Sequence, residues 1–378
     1  MKAVAVRPSR REVGLVEHEM PALTSPTEAR VRILDVGVCG TDREICAFDY
    51  GTPPAGSDYL ILGHEALGEV IGVGPLTSRV RPGDLVVPMV RRPCPHDTCG
   101  SCRHGRPDFC FTGDFTERGI KSAHGFMTEF IVEDERFLNV IPRSLRPLGV
   151  LVEPLTIAEK ALIQLWEVQE RLPWECRHVH PVGNGHAGRG SCHRAVVLGA
   201  GPVGLLGAMA LASRGFETTV YSRSGAPEER AALIESFGAR FVPAETVSVE
   251  QLAERVGRID LVYEAVGASA LAFETMKFLG ANGVFVFTGV PGRKGPVEID
   301  TDRVMRNLVL NNQIVLGTVN AGRDAFDAAI RDLESFEKRW PPAIRSLISG
   351  RFPIEAHRDL LLGRMPGIKN VLAFGDTN

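Results

Sequence analysis

Val196-Val197-Leu198-Gly199-Ala200-Gly201-Pro202-Val203-Gly204 is the stretch that decides the reading of this chain. An apolar, β-branched run feeds a glycine-spaced turn. The following Leu205 to Arg214 (LLGAMALASR) is rich in Leu, Ala and Met, residues that lose little side-chain freedom in a helix. The order is strand, turn, helix. In that setting Gly199 permits a tight turn, Gly201 lets backbone approach a pyrophosphate, and Gly204 lets the helix close on the strand. Ala200, Pro202 and Val203 complete a turn that would hold phosphates at the helix N-terminus. A lone string of this kind can be no more than a glycine-rich loop, but here both flanks fit.

Downstream, strands alternate with helices: Thr218 to Tyr221, a helix across Glu228 to Phe237, Asp260 to Tyr263, Gly283 to Phe287 and Gln313 to Gly317. Such alternation predicts an α/β Rossmann unit, a doubly wound parallel sheet with crossover helices. About 20 residues beyond the glycine turn, an NAD site needs a carboxylate for the ribose 2′-hydroxyl, whereas Arg accommodates a 2′-phosphate. The chain offers Tyr221-Ser222-Arg223-Ser224 there. Ser222, Arg223 and Ser224 therefore favour NADP, with NAD use left open; the alternative is that Arg223 is a solvated loop residue.

Upstream, short alternating runs predict an antiparallel, barrel-like β domain: Ala3 to Val6, Arg30 to Leu34, Glu69 to Ile71, Leu85 to Val87 and Phe130 to Val132. From Leu151 to Gln169 the spacing becomes helical, with Leu155, Ala158, Leu162 and Leu165 on one face, predicting a helix that joins the two halves. Residues 171–194 break this with Pro and Gly. Their His178, His180, His186, His193 and Cys192 match no closed metal spacing and read as a polar surface loop. In the tail, DAFDAAIRDLESF and AIRSLIS read as helices and NVLAF as a strand.

At 378 residues the chain exceeds one ordinary core, and 44% hydrophobic with 24% charged residues suits a globular protein. A net charge of -3 argues against nucleic acid as the main partner. Apolar runs fall short of a membrane span and the N-terminus lacks a signal-peptide core, so no membrane partner and a cytoplasmic location are expected. There the eight cysteines point to metal ligands, catalytic thiols or core residues rather than disulfides.

Cys39-Gly40-Thr41-Asp42 and Gly63-His64-Glu65 sit in the β half, and Glu153-Pro154 opens the connecting helix. A thiolate, an imidazole and carboxylate oxygens form a good zinc set, and three protein ligands with an open position make a catalytic site. Taken singly, Cys39 also fits a small core residue, His64 a satisfied core histidine and Glu153 a helix N-terminal acid. Separately, Cys94, Cys99, Cys102 and Cys110 give C-x4-C-x2-C-x7-C, the signature of a closed structural zinc. The wide first gap leaves His96 as an alternative to Cys94.

The order C-G-T-D, G-H-E, Glu153, then the glycine turn resembles the zinc-dependent medium-chain dehydrogenases over the whole chain. Within them the chain is similar to the NAD(P) glucose dehydrogenase family. The similarity rests on Val90 to Pro93, Glu117 to Ile120, Ala123 to Met127, Glu153 to Lys160, Leu172 to Arg177 and Gly317 to Ala321. This resemblance implies a GroES-like catalytic domain over 1–165 and 321–378 with a Rossmann domain over 166–320. It implies catalytic zinc on Cys39 and His64, with Glu65 and Glu153 ligating directly or through water. By the same resemblance Thr41 passes on the hydroxyl proton, and Glu117 and Asn320 face sugar hydroxyls and the nicotinamide. Phe287-Thr288-Gly289 and Thr318-Val319-Asn320 become further cofactor contacts, and a dimer or tetramer is expected.

Those expectations amount to a zinc- and NADP-dependent dehydrogenase oxidising an aldose such as glucose at C1 to the lactone. The rivals are a polyol or secondary-alcohol dehydrogenase and, from another class, a non-catalytic NADP-binding protein.

Overall fold

The computed structural model describes residues 1–172, 188–223, 226–292, 295–363 and 365–374. They form two compact units: Met1–Thr156, Asn320–Glu337 and Ile344–Asn378 in the first, Ile157–Val319 and Lys338–Ala343 in the second. Their boundary falls inside the helix Val152–Gln169.

The first unit is built on the ten-residue strand Glu28–Gly37, whose buried Val31, Ile33 and Val36 anchor an apolar core with Val4, Leu62 and Phe126. That strand pairs antiparallel with Glu65–Val73, Phe130–Asp134 and Lys369–Ala373. The sheet continues to Leu85–Pro88 and Leu138–Ile141 on one side and to Ile348–Pro353 on the other. Strand Lys2–Arg7 forms a second sheet with Glu12–Glu17 and Leu60–Ile61. A third joins Arg91–Arg92, Thr116–Arg118 and Ser122–Ala123.

The second unit carries a six-stranded sheet in the order Arg240–Pro243, Glu217–Ser222, Arg194–Leu198, Ile259–Glu264, Leu279–Phe287, Ile314–Gly317. All five pairings are parallel. Numbered along the chain that order is 3-2-1-4-5-6, the doubly wound arrangement. Val196, Val262 and Phe285 are buried to at least 99%, as strands covered on both faces require.

Three local readings need correction. The helix after the glycine turn starts at Pro202, not Leu205, because proline is pre-set for a first helical position whose N–H has no partner to lose. The run AIRSLIS is helical only to Ser346; Ile348 and Ser349 open a strand, since pairing with Lys369–Ala373 overrides the local pattern. His193, taken as part of a polar loop, is 8% exposed with Nδ1 3.8 Å from Asp260 Oδ2, and Cys192 is exposed. His178, His180 and His186 lie outside the described residues. Among the described residues, no helix is long and apolar enough to cross a membrane.

Candidate active site

In the first unit one buried carboxylate ties two loops together. Cys39 is the N-cap of the helix Gly40–Cys46, and Asp42 Oδ2 accepts its backbone N–H at 2.8 Å. Asp42 Oδ1 accepts the N–H of Gly63 at 3.2 Å and lies 3.6 Å from His64 Nδ1. Gly63 has φ +87°, and a Cβ there would stand 2.6 Å from Met127, so only glycine delivers His64 in this way. Ligand atoms of Cys39, His64 and Glu65 all lie within 4.8 Å of one another.

Electrostatics reinforce the grouping. Burial pulls the His64 pKa down, but the charge of Asp42 and the neighbouring Cys39 thiol outweigh it and hold the imidazole well above its ordinary value. Glu65 is 1% exposed and accepts from Lys369 Nζ at 2.5 Å. Gly37 makes room for that carboxylate, because a Cβ there would lie 2.2 Å from Glu65 Oε2. Glu153 is buried too. Burial pushes its carboxyl up to about 7, with His64 opposing and Glu65 adding to the rise, so its field is that of the same cluster. Thr41 sits in the first turn of the Cys39-capped helix.

Sulfur, imidazole and carboxylate donors suit zinc. His64 Nδ1 is buried without a hydrogen-bond partner and faces the Asp42 carboxylate. That leaves Nε2 for a metal and Asp42 as the outer group that orients the ring.

A second cluster gathers Cys94, Cys99, Cys102 and Cys110. The Cys99 and Cys110 sulfurs are 3.9 Å apart. Four thiolates at the usual zinc-sulfur distance sit about 3.8 Å from each other, so the set fits a closed tetrahedral ion. His96, the alternative ligand, instead pairs through Nε2 with Asp114 Oδ2 at 2.7 Å.

Glu117 lies on the strand Thr116–Arg118, and its Oε1 accepts from Asn320 Nδ2 at 2.9 Å. The turn after it packs on the His64 loop: a Cβ on Gly119 would lie 2.5 Å from Gly63 O. Glu117, Asn320 and the Cys39–His64–Glu65 cluster thus belong to one neighbourhood of the first unit.

In the second unit Gly199 has φ +105° and Gly201 is the extended N-cap of the helix Pro202–Ser213. A Cβ on Gly204 would lie 2.2 Å from Gly199 O, whereas one on Gly201 would meet nothing within 4 Å. The first forces helix and turn together; the second leaves the turn's backbone open to approach. Ala200 and Val203 complete the turn. Ser222 ends its strand and donates to Arg223 O at 3.0 Å; Arg223 is exposed and Ser224 lies outside the described residues. Phe287 ends the strand Leu279–Phe287, and Thr288 and Gly289 follow it. Thr318 and Val319 follow the last strand, Ile314–Gly317.

Four residues go unsingled in the sequence reading of this site. Lys369 and Asp42 hold the cluster, and Arg91 grips Glu117. Glu264 takes the N–H groups of Val266, Gly267 and Gly289 and so organises two loops at the carboxyl edge of the parallel sheet. Asp42, within C-G-T-D, and Arg91, within Val90 to Pro93, lay in stretches the sequence marks; Lys369 and Glu264 did not.

Residues 189–374 match the family model described as glucose dehydrogenase C-terminus, and 25–143 match the alcohol dehydrogenase GroES-like domain. The chain is 37% identical to the glucose 1-dehydrogenase of Methanocella arvoryzae, covering 99% of this chain and 100% of that one. It is 37% identical to that of Metallosphaera sedula, covering 98% of each. Among solved structures it resembles Haloferax mediterranei glucose dehydrogenase in complex with NADP, Zn and gluconolactone, with TM-score 0.86, 32% identity and full coverage of both chains.

Proposed function

Starting from the fact that this chain belongs to the glucose 1-dehydrogenase family of zinc-dependent medium-chain dehydrogenases, we propose that it oxidises an aldose, glucose foremost, at C1 with NADP+. The observation that carries this reading is the convergence of Cys39, His64 and Glu65, with Glu153 in the same field. Cys39, His64 and a carboxylate from Glu65 or Glu153 would hold zinc. Bound there, the ion supplies Lewis acidity that favours loss of the substrate's hydroxyl proton.

The reaction removes a proton from the C1 hydroxyl and a hydride from C1, giving lactone, NADPH and a proton. Thr41 accepts and passes on the hydroxyl proton. Asp42 keeps the His64 ring in register, and Lys369 holds the Glu65 carboxylate in place. Glu117 and Asn320 receive hydroxyls that are not being oxidised; polar groups of this kind reject a ligand that leaves them unpaired. The turn from Gly199 to Gly204 receives the pyrophosphate, with Thr288, Gly289, Thr318 and Val319 beside it at strand ends. Ser222 and Arg223 offer a hydroxyl and a cation but no carboxylate, which supports NADP over NAD. The four-cysteine cluster would take a structural zinc.

Assembly as a homo-oligomer is supported by the terminal strand Ile314–Gly317 and by the helix Thr301–Leu310, where Met305, Val309 and Leu310 are at least 64% exposed. The thiols of Cys94, Cys99, Cys102 and Cys110, grouped closely enough to hold one ion, support a reducing, cytoplasmic setting. Initial rates with NADP+ and glucose, galactose, xylose, sorbitol and simple alcohols test the substrate class. Turnover of aldoses above the rest is expected, and activity confined to simple alcohols overturns the proposal.

A further inference from the structure

Arg91 stands opposite Glu117 across the pairing of Arg91–Arg92 with Thr116–Arg118, and it is 6% exposed. An arginine usually meets a carboxylate through two parallel bonds, one to each oxygen. Here both donors converge on one. Arg91 Nε and Nη2 reach Glu117 Oε1 at 3.1 and 2.9 Å, and Asn320 Nδ2 adds a third bond to the same oxygen at 2.9 Å. Among the described residues no protein group donates to Glu117 Oε2. The side chain keeps 12% exposure, and a carboxylate oxygen to which no protein group donates can still accept.

The guanidinium itself is held from the cysteine lobe. Its Nη1 reaches the carbonyls of Pro107 and Asp108 at 3.5 and 3.3 Å, in the turn that ends just before Cys110. Its carbon lies 3.7 Å from the centre of the Phe115 ring. Every nitrogen is thus engaged and the plane is fixed, an arrangement that the point charge of a lysine does not reproduce.

We propose, resting on the aldose reading above, that Arg91 is a positioning residue for the sugar. It saturates Glu117 Oε1 and turns Oε2 to accept a substrate hydroxyl other than the one oxidised. It also makes the direction of that carboxylate depend on the lobe that carries Cys110.

The test compares wild type, Arg91→Lys and Arg91→Met, each also in a Glu117→Gln background, by KM and kcat for glucose, Kd for NADP+ from fluorescence, zinc content and Tm. Arg91→Lys keeps the charge and the apolar stem, so it carries the measurement even where Arg91→Met fails to accumulate. In Arg91→Lys the KM for glucose rises roughly tenfold and kcat changes by less than about threefold, as for a group that binds the sugar equally in ground and transition states. Zinc content and Kd for NADP+ stay at wild-type values. In the Glu117→Gln background the same change adds less than about twofold, because the two residues act as a unit. Wild type that oxidises glucose while Arg91→Lys leaves KM unchanged, or raises it equally in both backgrounds, overturns this inference alone. Wild type that oxidises no aldose overturns the functional reading and the inference with it.

Discussion

Lys369 Nζ lies 2.5 Å from Glu65 Oε2 with the two side chains 2% and 1% exposed, and these residues come from opposite ends of the chain. Glu65 opposes lysine desolvation, and together with Cys39 it holds the Lys369 pKa above its ordinary value despite burial. Removing one partner of such a pair strands the other charge. Lys369→Met should lower unfolding free energy by about 3–5 kcal/mol in urea titration. It should also reduce zinc retained on dialysis; a Met variant as stable and as zinc-rich as wild type contradicts the role assigned to this pair.

The two ligand clusters are independent in sequence and should be independent in metal content. Protein purified without chelator should carry two zinc ions per chain. Cys39→Ser should lose one, together with activity. Cys99→Ser should lose the other, with a fall in Tm, since a closed thiolate site contributes folding energy directly. One ion in wild type contradicts the two-site account.

Acid stability should report on Glu133. Burial alone would raise its carboxyl, but Arg118 and Arg92 outweigh that and bring it down to about 2. Arg118 Nη2 and Nε donate to it at 2.7 and 3.0 Å. Because the folded value lies below the unfolded one, the unfolded chain binds the extra proton. The contribution is therefore fully present above about pH 4.5 and is lost as pH falls toward about 2. It is on the order of 3 kcal/mol. Glu133→Gln should be less stable near neutrality and should show a shallower decline across that window; an unchanged pH profile contradicts the assignment.

Cofactor choice is testable at one residue. Arg223→Ala should raise KM for NADP+ roughly tenfold while leaving KM for NAD+ within about twofold, as expected when a 2′-phosphate loses its cation. A wild-type preference for NAD+ that the variant leaves unchanged contradicts the reading.

Much of this was legible in the chain itself because it is local. The run from Val196 to Gly204 carries its strand, its left-handed glycine and its helix within a few residues, and the parallel sheet follows from the alternation after it. C-x4-C-x2-C-x7-C is equally self-contained. The residues that hold the site were not legible, since their meaning lies in pairing across the chain. Lys369 meets Glu65 only because Lys369–Ala373 lies against Glu28–Gly37, and Arg91 meets Glu117 only through strand register. The strand Ile348–Pro353 was hidden for the same reason, as its first residues carry a helical pattern that sheet pairing overrides.

The measurement that bears most directly on the central claim is the initial rate of NADPH formation from glucose by the zinc-loaded chain, set beside His64→Ala. The account predicts steady turnover in wild type, with kcat/KM for glucose at least about tenfold above that for simple alcohols, and loss of roughly 100-fold or more in the variant. Wild type inert toward glucose, or a His64→Ala enzyme as active as wild type, would contradict it.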